Sequence, residues 1–118
     1  MDADYDALEQ EKLRLLERVA EIEVRQQRQQ GLFKKVPHFS EIEDAGQTLG
    51  RFLSRLSQSR MASEVATSEG VSRDCPTCGK ECRIDVGKRT VTGLDGPVEI
   101  MEPKGHCPAC RRDFFPSA

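Results

Sequence analysis

Residues 1–30 contain neither Gly nor Pro, and their apolar side chains recur at alternating spacings of three and four: Tyr5, Leu8, Leu15, Val19 and Ile22. Extended, the same register lands on Lys12 and Gln26. This pattern, in a stretch rich in Leu, Glu, Gln, Arg and Ala, predicts one helix with an apolar stripe of coiled-coil width. Two uses fit the stripe: the seam of a homodimer, or the face that docks on a second helix of the same chain. Gly31 ends the helix and Pro37 delays a restart, which makes 31–39 a linker. Ser40 and Glu43 have the spacing of a capping box, so a second helix is expected over 40–57. Along it Ile42, Ala45, Leu49, Phe52, Leu53 and Leu56 form a wide apolar face that reads as core. As a DNA-reading helix-turn-helix the pair fits poorly, because the linker exceeds the usual three or four residues and Arg51, Arg55 and Arg60 are few.

From residue 58 to 74 the chain is small and polar without an apolar period, and it reads as a tether. Beyond it, Arg89–Thr92 and Val98–Met101 are short β-type runs on either side of Gly93-Leu-Asp-Gly96, with Pro97 at the start of the second run. The expected fold class is therefore α+β: a two-helix arm tethered to a small C-terminal unit, 75–116, built on a hairpin.

Composition explains what that unit lacks. Of 118 residues 36% are hydrophobic and 32% charged, so little apolar surface exists to bury, and a large multidomain enzyme is excluded by length. No apolar run is long enough for a membrane span, and the acidic start, Met1-Asp-Ala-Asp-Tyr-Asp6, is unlike a signal peptide. The expected location is the cytoplasm, where an odd count of five cysteines points to metal or thiol chemistry rather than disulfides.

Cys75-Pro-Thr-Cys78 and Cys107-Pro-Ala-Cys110 are two C-x-x-C knuckles 28 residues apart. Within a knuckle the chain can fold back so that both thiolates reach one ion, and two knuckles supply the four sulfurs of a tetrahedral zinc site. Zinc ribbon is the reading: knuckle, hairpin, knuckle, and a return through Asp113-Phe-Phe115, around a small core of Val91, Val98, Ile100 and Phe114 or Phe115. One structural zinc is expected, since four thiolates leave no ligand position for water. A redox role for either knuckle lacks the βαβ context of such motifs. Cys82 reads as a spectator thiol with the alternative of replacing a ligand, and His106 as a surface residue or a donor beside Cys107 rather than a fifth ligand.

Residues 75–116 resemble the N-terminal zinc-ribbon region of a bacterial insertion-sequence DDE transposase family. The resemblance rests on Cys75-Pro-Thr-Cys78-Gly, on Arg89-Thr-Val-Thr-Gly-Leu-Asp-Gly-Pro-Val-Glu-Ile100, on Pro103, and on Cys107-Pro-Ala-Cys110-Arg-Arg-Asp-Phe-Phe-Pro116. Residues 41–57 also look like the helix that precedes the ribbon in that family. The chain departs from the family around Pro103, where Met101-Glu102 and Lys104-Gly-His106 replace arginines and aromatic residues. The resemblance implies a role in DNA transposition, with the ribbon engaging element ends or assembling the transposase. It also implies a truncated or separately encoded portion without catalysis of its own, because the family's catalytic domain would follow where this chain stops at Ala118.

Charge tempers a DNA role: from Val71 onward eight Lys and Arg face seven Asp and Glu. Arg83, Lys88, Arg89, Arg111 and Arg112 are the candidate DNA contacts. A protein-interaction adaptor, or a regulator that binds full-length transposase, is the competing reading.

Overall fold

The computed structural model describes residues 2–68 and 70–116; Met1, at the head of the expected first helix, and Glu69, inside the expected tether, lie outside them. The described residues form two helices followed by a four-stranded antiparallel sheet, an α+β fold as the sequence predicts. They are α1 (Asp2–Gln30), α2 (Phe39–Ser68), β1 (Ser72–Asp74), β2 (Glu81–Gly93), β3 (Gly96–Cys107) and β4 (Arg112–Phe114), with the strands in the order β1-β2-β3-β4. No helix among the described residues is long and apolar enough to cross a membrane. The chain divides into two compact units inside α2, one through Leu49 and one from Gly50.

In the first unit, α1 is ordered by local chemistry. Asp2 and Asp4 in its first turn and Arg28 in its last oppose the helix dipole. Gly31, at φ +97°, closes the helix: its amide bonds the Arg28 carbonyl at 3.1 Å and the Leu32 amide bonds the Gln27 carbonyl at 3.0 Å. Those two bonds satisfy carbonyls that a helix end leaves free. Phe33 then folds back under the Arg28 guanidinium, 5.6 Å from ring centre to cation.

The start of α2 differs from the expected capping box. The Glu41 carboxylate accepts from the His38 amide at 3.0 Å, and the His38 carbonyl accepts from the Glu41 amide at 3.0 Å. The carboxylate half of the box is thus present two residues earlier, directly after Pro37. The apolar face of α2 also differs from its reading as core: Ile42, Phe52, Leu53 and Leu56 are all more than 40% exposed.

In the second unit, the expected tether over 58–74 is largely regular structure, since α2 runs to Ser68 and β1 begins at Ser72. The polar side chains that suggested a tether are employed by the helix itself. Ser63 Oγ donates to the Ser59 carbonyl at 3.1 Å and Thr67 Oγ1 to the Ser63 carbonyl at 2.9 Å, so neither hydroxyl competes with the helix for free backbone groups. Others bind the hairpin. Arg55 Nη1 donates to the Asp95 carbonyl at 2.8 Å, Ser54 Oγ to the Asp95 carboxylate, and Ser59 Oγ to the Glu99 carbonyl at 2.8 Å.

The β2–β3 pairing runs unbroken from Ile84↔Gly105 to Gly93↔Gly96, far beyond the two short runs read from the sequence. Leu94 and Asp95 make the turn and Gly96 takes φ +106°, a conformation that suits a residue without Cβ. Pro97 and Pro103 lie where β3 borders only β2, because β4 pairs with Gly105, His106 and Cys107 alone; a missing N–H is tolerated on such an edge.

The side of β3 that is buried changes along its length. Near the turn Val98 is buried; near the knuckles Pro103, Gly105 and Cys107 are. Alternation with no bulge in the register puts Val98 on one face of the hairpin and the other three on the opposite face. One hairpin therefore serves two small cores, with α2 bound along its tip and sulfur at its base.

Candidate metal centre

Each knuckle is a short turn between strands. Cys75 follows β1, and its amide bonds the Lys80 carbonyl at 2.8 Å while its carbonyl accepts from the Gly79 amide at 2.8 Å. Cys107 ends β3, and Cys110 lies in the turn before β4. A left-handed residue follows the second cysteine of both knuckles: Gly79 at φ +77° and Arg111 at φ +54°. Arg111 is the sole described non-glycine with positive φ, a strained choice where the first knuckle uses glycine.

The Cys75, Cys78, Cys107 and Cys110 sulfurs all lie within 4.8 Å of one another. Across the knuckles Cys78 and Cys107 are 3.6 Å apart and Cys75 and Cys110 3.9 Å. Sulfurs at tetrahedral corners about 2.3 Å from a central ion stand about 3.8 Å apart, so both distances fit such a site. The group could hold a metal ion, and the pairs that approach are contributed one from each knuckle.

Backbone amides point at the sulfurs. Thr77 N–H donates to Cys75 Sγ and Cys110 N–H to Cys107 Sγ, each at 3.4 Å. The Cys107 thiol is pulled down to about 6, first by the Cys110 amide, and Cys75 is lowered by the amides of Cys78 and Thr77. Cys110 moves the other way, pushed up to about 12, first by its contact with Cys78. Without a cation four adjacent thiols do not all ionise: backbone amides favour the charged form at Cys107 and Cys75, and the neighbouring sulfurs oppose it at Cys110.

Cys82 stands outside the ligand group. Its thiol donates to the Lys80 carbonyl at 3.3 Å, and burial pushes it up to about 11, as befits an inert packing residue. With Cys75 and Cys107 it forms the buried cluster against which Cys110 and Phe114 pack. The core at the sulfurs is consequently richer in cysteine than expected: of the expected core residues only half-buried Phe114 packs there, while buried Val98 and half-buried Ile100 lie on the other face of the hairpin and Val91 and Phe115 are exposed.

Gly105 is the site residue that spacing and composition did not single out. It pairs with Phe114 across β3 and β4, and a Cβ at Gly105 would stand 2.3 Å from the ring. The ring thus lies directly on the glycine backbone and covers the base of the hairpin. An aromatic residue opposite a strand glycine was the available cue.

His106 faces outward, its Nδ1 2.8 Å from Asp113 Oδ1. That contact first, and then Lys104, hold the Asp113 carboxyl below its ordinary value. His106 is thereby a cross-strand partner of Asp113.

The five candidate DNA contacts do not share one face. Arg83 and Arg89 project from one side of β2 and Lys88 from the other. Arg83 pairs with Asp85, Lys88 with Glu99 and Arg89 with Glu102. Arg111 and Arg112, beside the second knuckle, are exposed and make no ion pair among the described residues. No family model matches the chain, and neither a curated protein nor a solved structure gives a match.

Proposed function

We propose that the chain is a zinc-ribbon module acting in DNA transposition, binding element ends or the assembling transposase rather than performing chemistry at its own metal. The observation that carries the metal half is the group of four sulfurs within 4.8 Å, drawn from two knuckles. Zinc suits a closed set of four thiolates, and with no ligand position left for water or substrate its role is to hold the fold. The transposition half rests on the resemblance of residues 75–116.

Within this reading Arg111 and Arg112 are the leading DNA contacts. They lack carboxylate partners among the described residues, so phosphates meet them without breaking an ion pair. Arg83, Lys88 and Arg89 are each already balanced by a neighbouring acid. A gel-shift titration of zinc-loaded protein against insertion-sequence end DNA tests the proposal. Retention at low salt that weakens in Arg111→Ala/Arg112→Ala is expected, and no retention at any salt contradicts a DNA role.

The alternative is an adaptor that binds proteins, including full-length transposase. It is favoured by the apolar surface of the helices, where Leu8, Leu15 and Phe52 are each more than half exposed. A defined complex with transposase protein that forms in the absence of DNA supports this second reading.

A further inference from the structure

The apolar stripe of α1 is uncovered in the single chain. Tyr5, Leu8, Leu15, Val19 and Ile22 are 68%, 57%, 54%, 40% and 40% exposed, and α1 buries no residue at all. Within the first unit, none of these five residues lines the groove that α1 shares with α2. The lining comes instead from a different strip of α1, comprising Ala20, Glu23, Val24 and Gln27. At 100° per residue that strip is centred about 120° around the helix from the stripe.

The charges that flank the stripe select a partner. On the edge of the stripe away from that strip, every seventh residue is charged: Asp4, Glu11, Arg18 and Arg25, two acids followed by two bases. Asp4, Glu11 and Arg25 form no ion pair among the described residues, and Arg18 has one exposed pair, with Glu21 at 3.1 Å. An acid-to-base gradient along one edge is complementary to itself reversed. Laid antiparallel, a second α1 brings Asp4 to the partner's Arg25 and Glu11 to the partner's Arg18, which by symmetry makes four opposite-charge pairs. The stripe then closes in the same register, with Tyr5 opposite the partner's Ile22, Leu8 opposite the partner's Val19, and Lys12 opposite the partner's Leu15. A parallel copy does worse: it sets Lys12 against the partner's Lys12, and the attraction of Arg18 to the partner's Glu23 is offset by Asp4 against the partner's Glu9.

We infer that α1 is a self-association element that pairs antiparallel with α1 of a second copy of this chain. The inference stands on α1 alone and is independent of any DNA role.

Sedimentation equilibrium of the full zinc-loaded chain at low salt tests it, with circular dichroism to confirm that each variant keeps its helices. The wild type is expected to show a concentration-dependent dimer, and Leu15→Glu to weaken it more than a hundredfold. Glu11→Arg places like charges together twice per dimer and is expected to raise the dissociation constant about tenfold. The double swap Glu11→Arg/Arg18→Glu is expected to return it close to the wild-type value. In a parallel pair Glu11 faces the partner's Leu16, so Glu11→Arg alone changes little and the swap rescues nothing; that pattern overturns the orientation. A wild type that is monomeric throughout, or a dimer indifferent to Leu15→Glu, overturns the inference altogether.

Discussion

Across 29 residues α1 buries no side chain, whereas the few residues around the knuckles bury Cys75, Cys82, Ile84 and Cys107 to 6% exposure or less. The helix is specified by neighbours in sequence: no breakers, acids at its start, and glycine in a left-handed turn at its end. The C-terminal unit is specified by residues far apart in sequence, 29 positions for Cys78 and Cys107 and 35 for Cys75 and Cys110, and its core consists largely of thiols placed where a metal could join them. The uncovered apolar stripe of α1 therefore offers a surface to a partner, while the cysteine cluster offers four sulfurs to an ion.

Removing the ion separates the two most sharply. Cys75→Ser or Cys110→Ser, or chelation of the native protein, is expected to unfold the ribbon, since structural zinc supplies about 10–16 kcal/mol in small domains. Amide exchange over β2 and β3 should lose its protection while α1 keeps its helical signal. Retained protection in the hairpin would show that the strands stand without metal.

Acid should act on the ribbon in the same direction. Each thiolate that takes a proton is a lost metal bond, so affinity falls as pH falls. Before the ion arrives Cys110 is pushed up to about 12 and must release its proton on binding, whereas Cys107, pulled down to about 6, has less proton to lose. Calorimetry in buffers of different ionisation enthalpy is expected to show proton release on zinc binding at pH 7, and an affinity that falls as the pH is lowered.

Gly105→Ala tests the aromatic cover without touching a ligand. The new methyl would collide with the Phe114 ring, and the resulting repacking is expected to cost about 1–3 kcal/mol in ribbon stability by thermal unfolding. Asp95→Ala removes the carboxylate that accepts from Ser54 at the hairpin tip and should cost about 0.5–1.5 kcal/mol. Arg111→Gly is the smallest change and the opposite in sign. Relief of a non-glycine φ of +54° is expected to add about 0.5–1 kcal/mol to the stability of the zinc-loaded form.

Features written in local order were readable from the sequence, and features that depend on distant contacts were not. The knuckles declare their sulfurs by spacing, and the absence of Gly and Pro over 1–30 declares α1. The stretch 58–68 looked like a tether because its serines and threonines have no apolar period. Their hydroxyls are bound within the helix or, at Ser59, to the hairpin. The extent of the hairpin was hidden because its buried side changes from Val98 to Cys107, which breaks the simple alternation that marks a strand. The cap at His38 and Glu41 competes with a more familiar pattern at Ser40 and Glu43, and local sequence does not rank the two. Helix faces pose the opposite problem: periodicity identified the apolar sides of both helices, but not that the chain leaves them largely exposed.

Metal content per chain, measured by native mass spectrometry on protein purified under reducing conditions, shows whether the four sulfurs hold an ion. One zinc ion per chain in the wild type and in Cys82→Ser, with none retained in Cys107→Ser, is the predicted result. Wild-type protein that carries no zinc and takes up none when it is supplied would contradict the account.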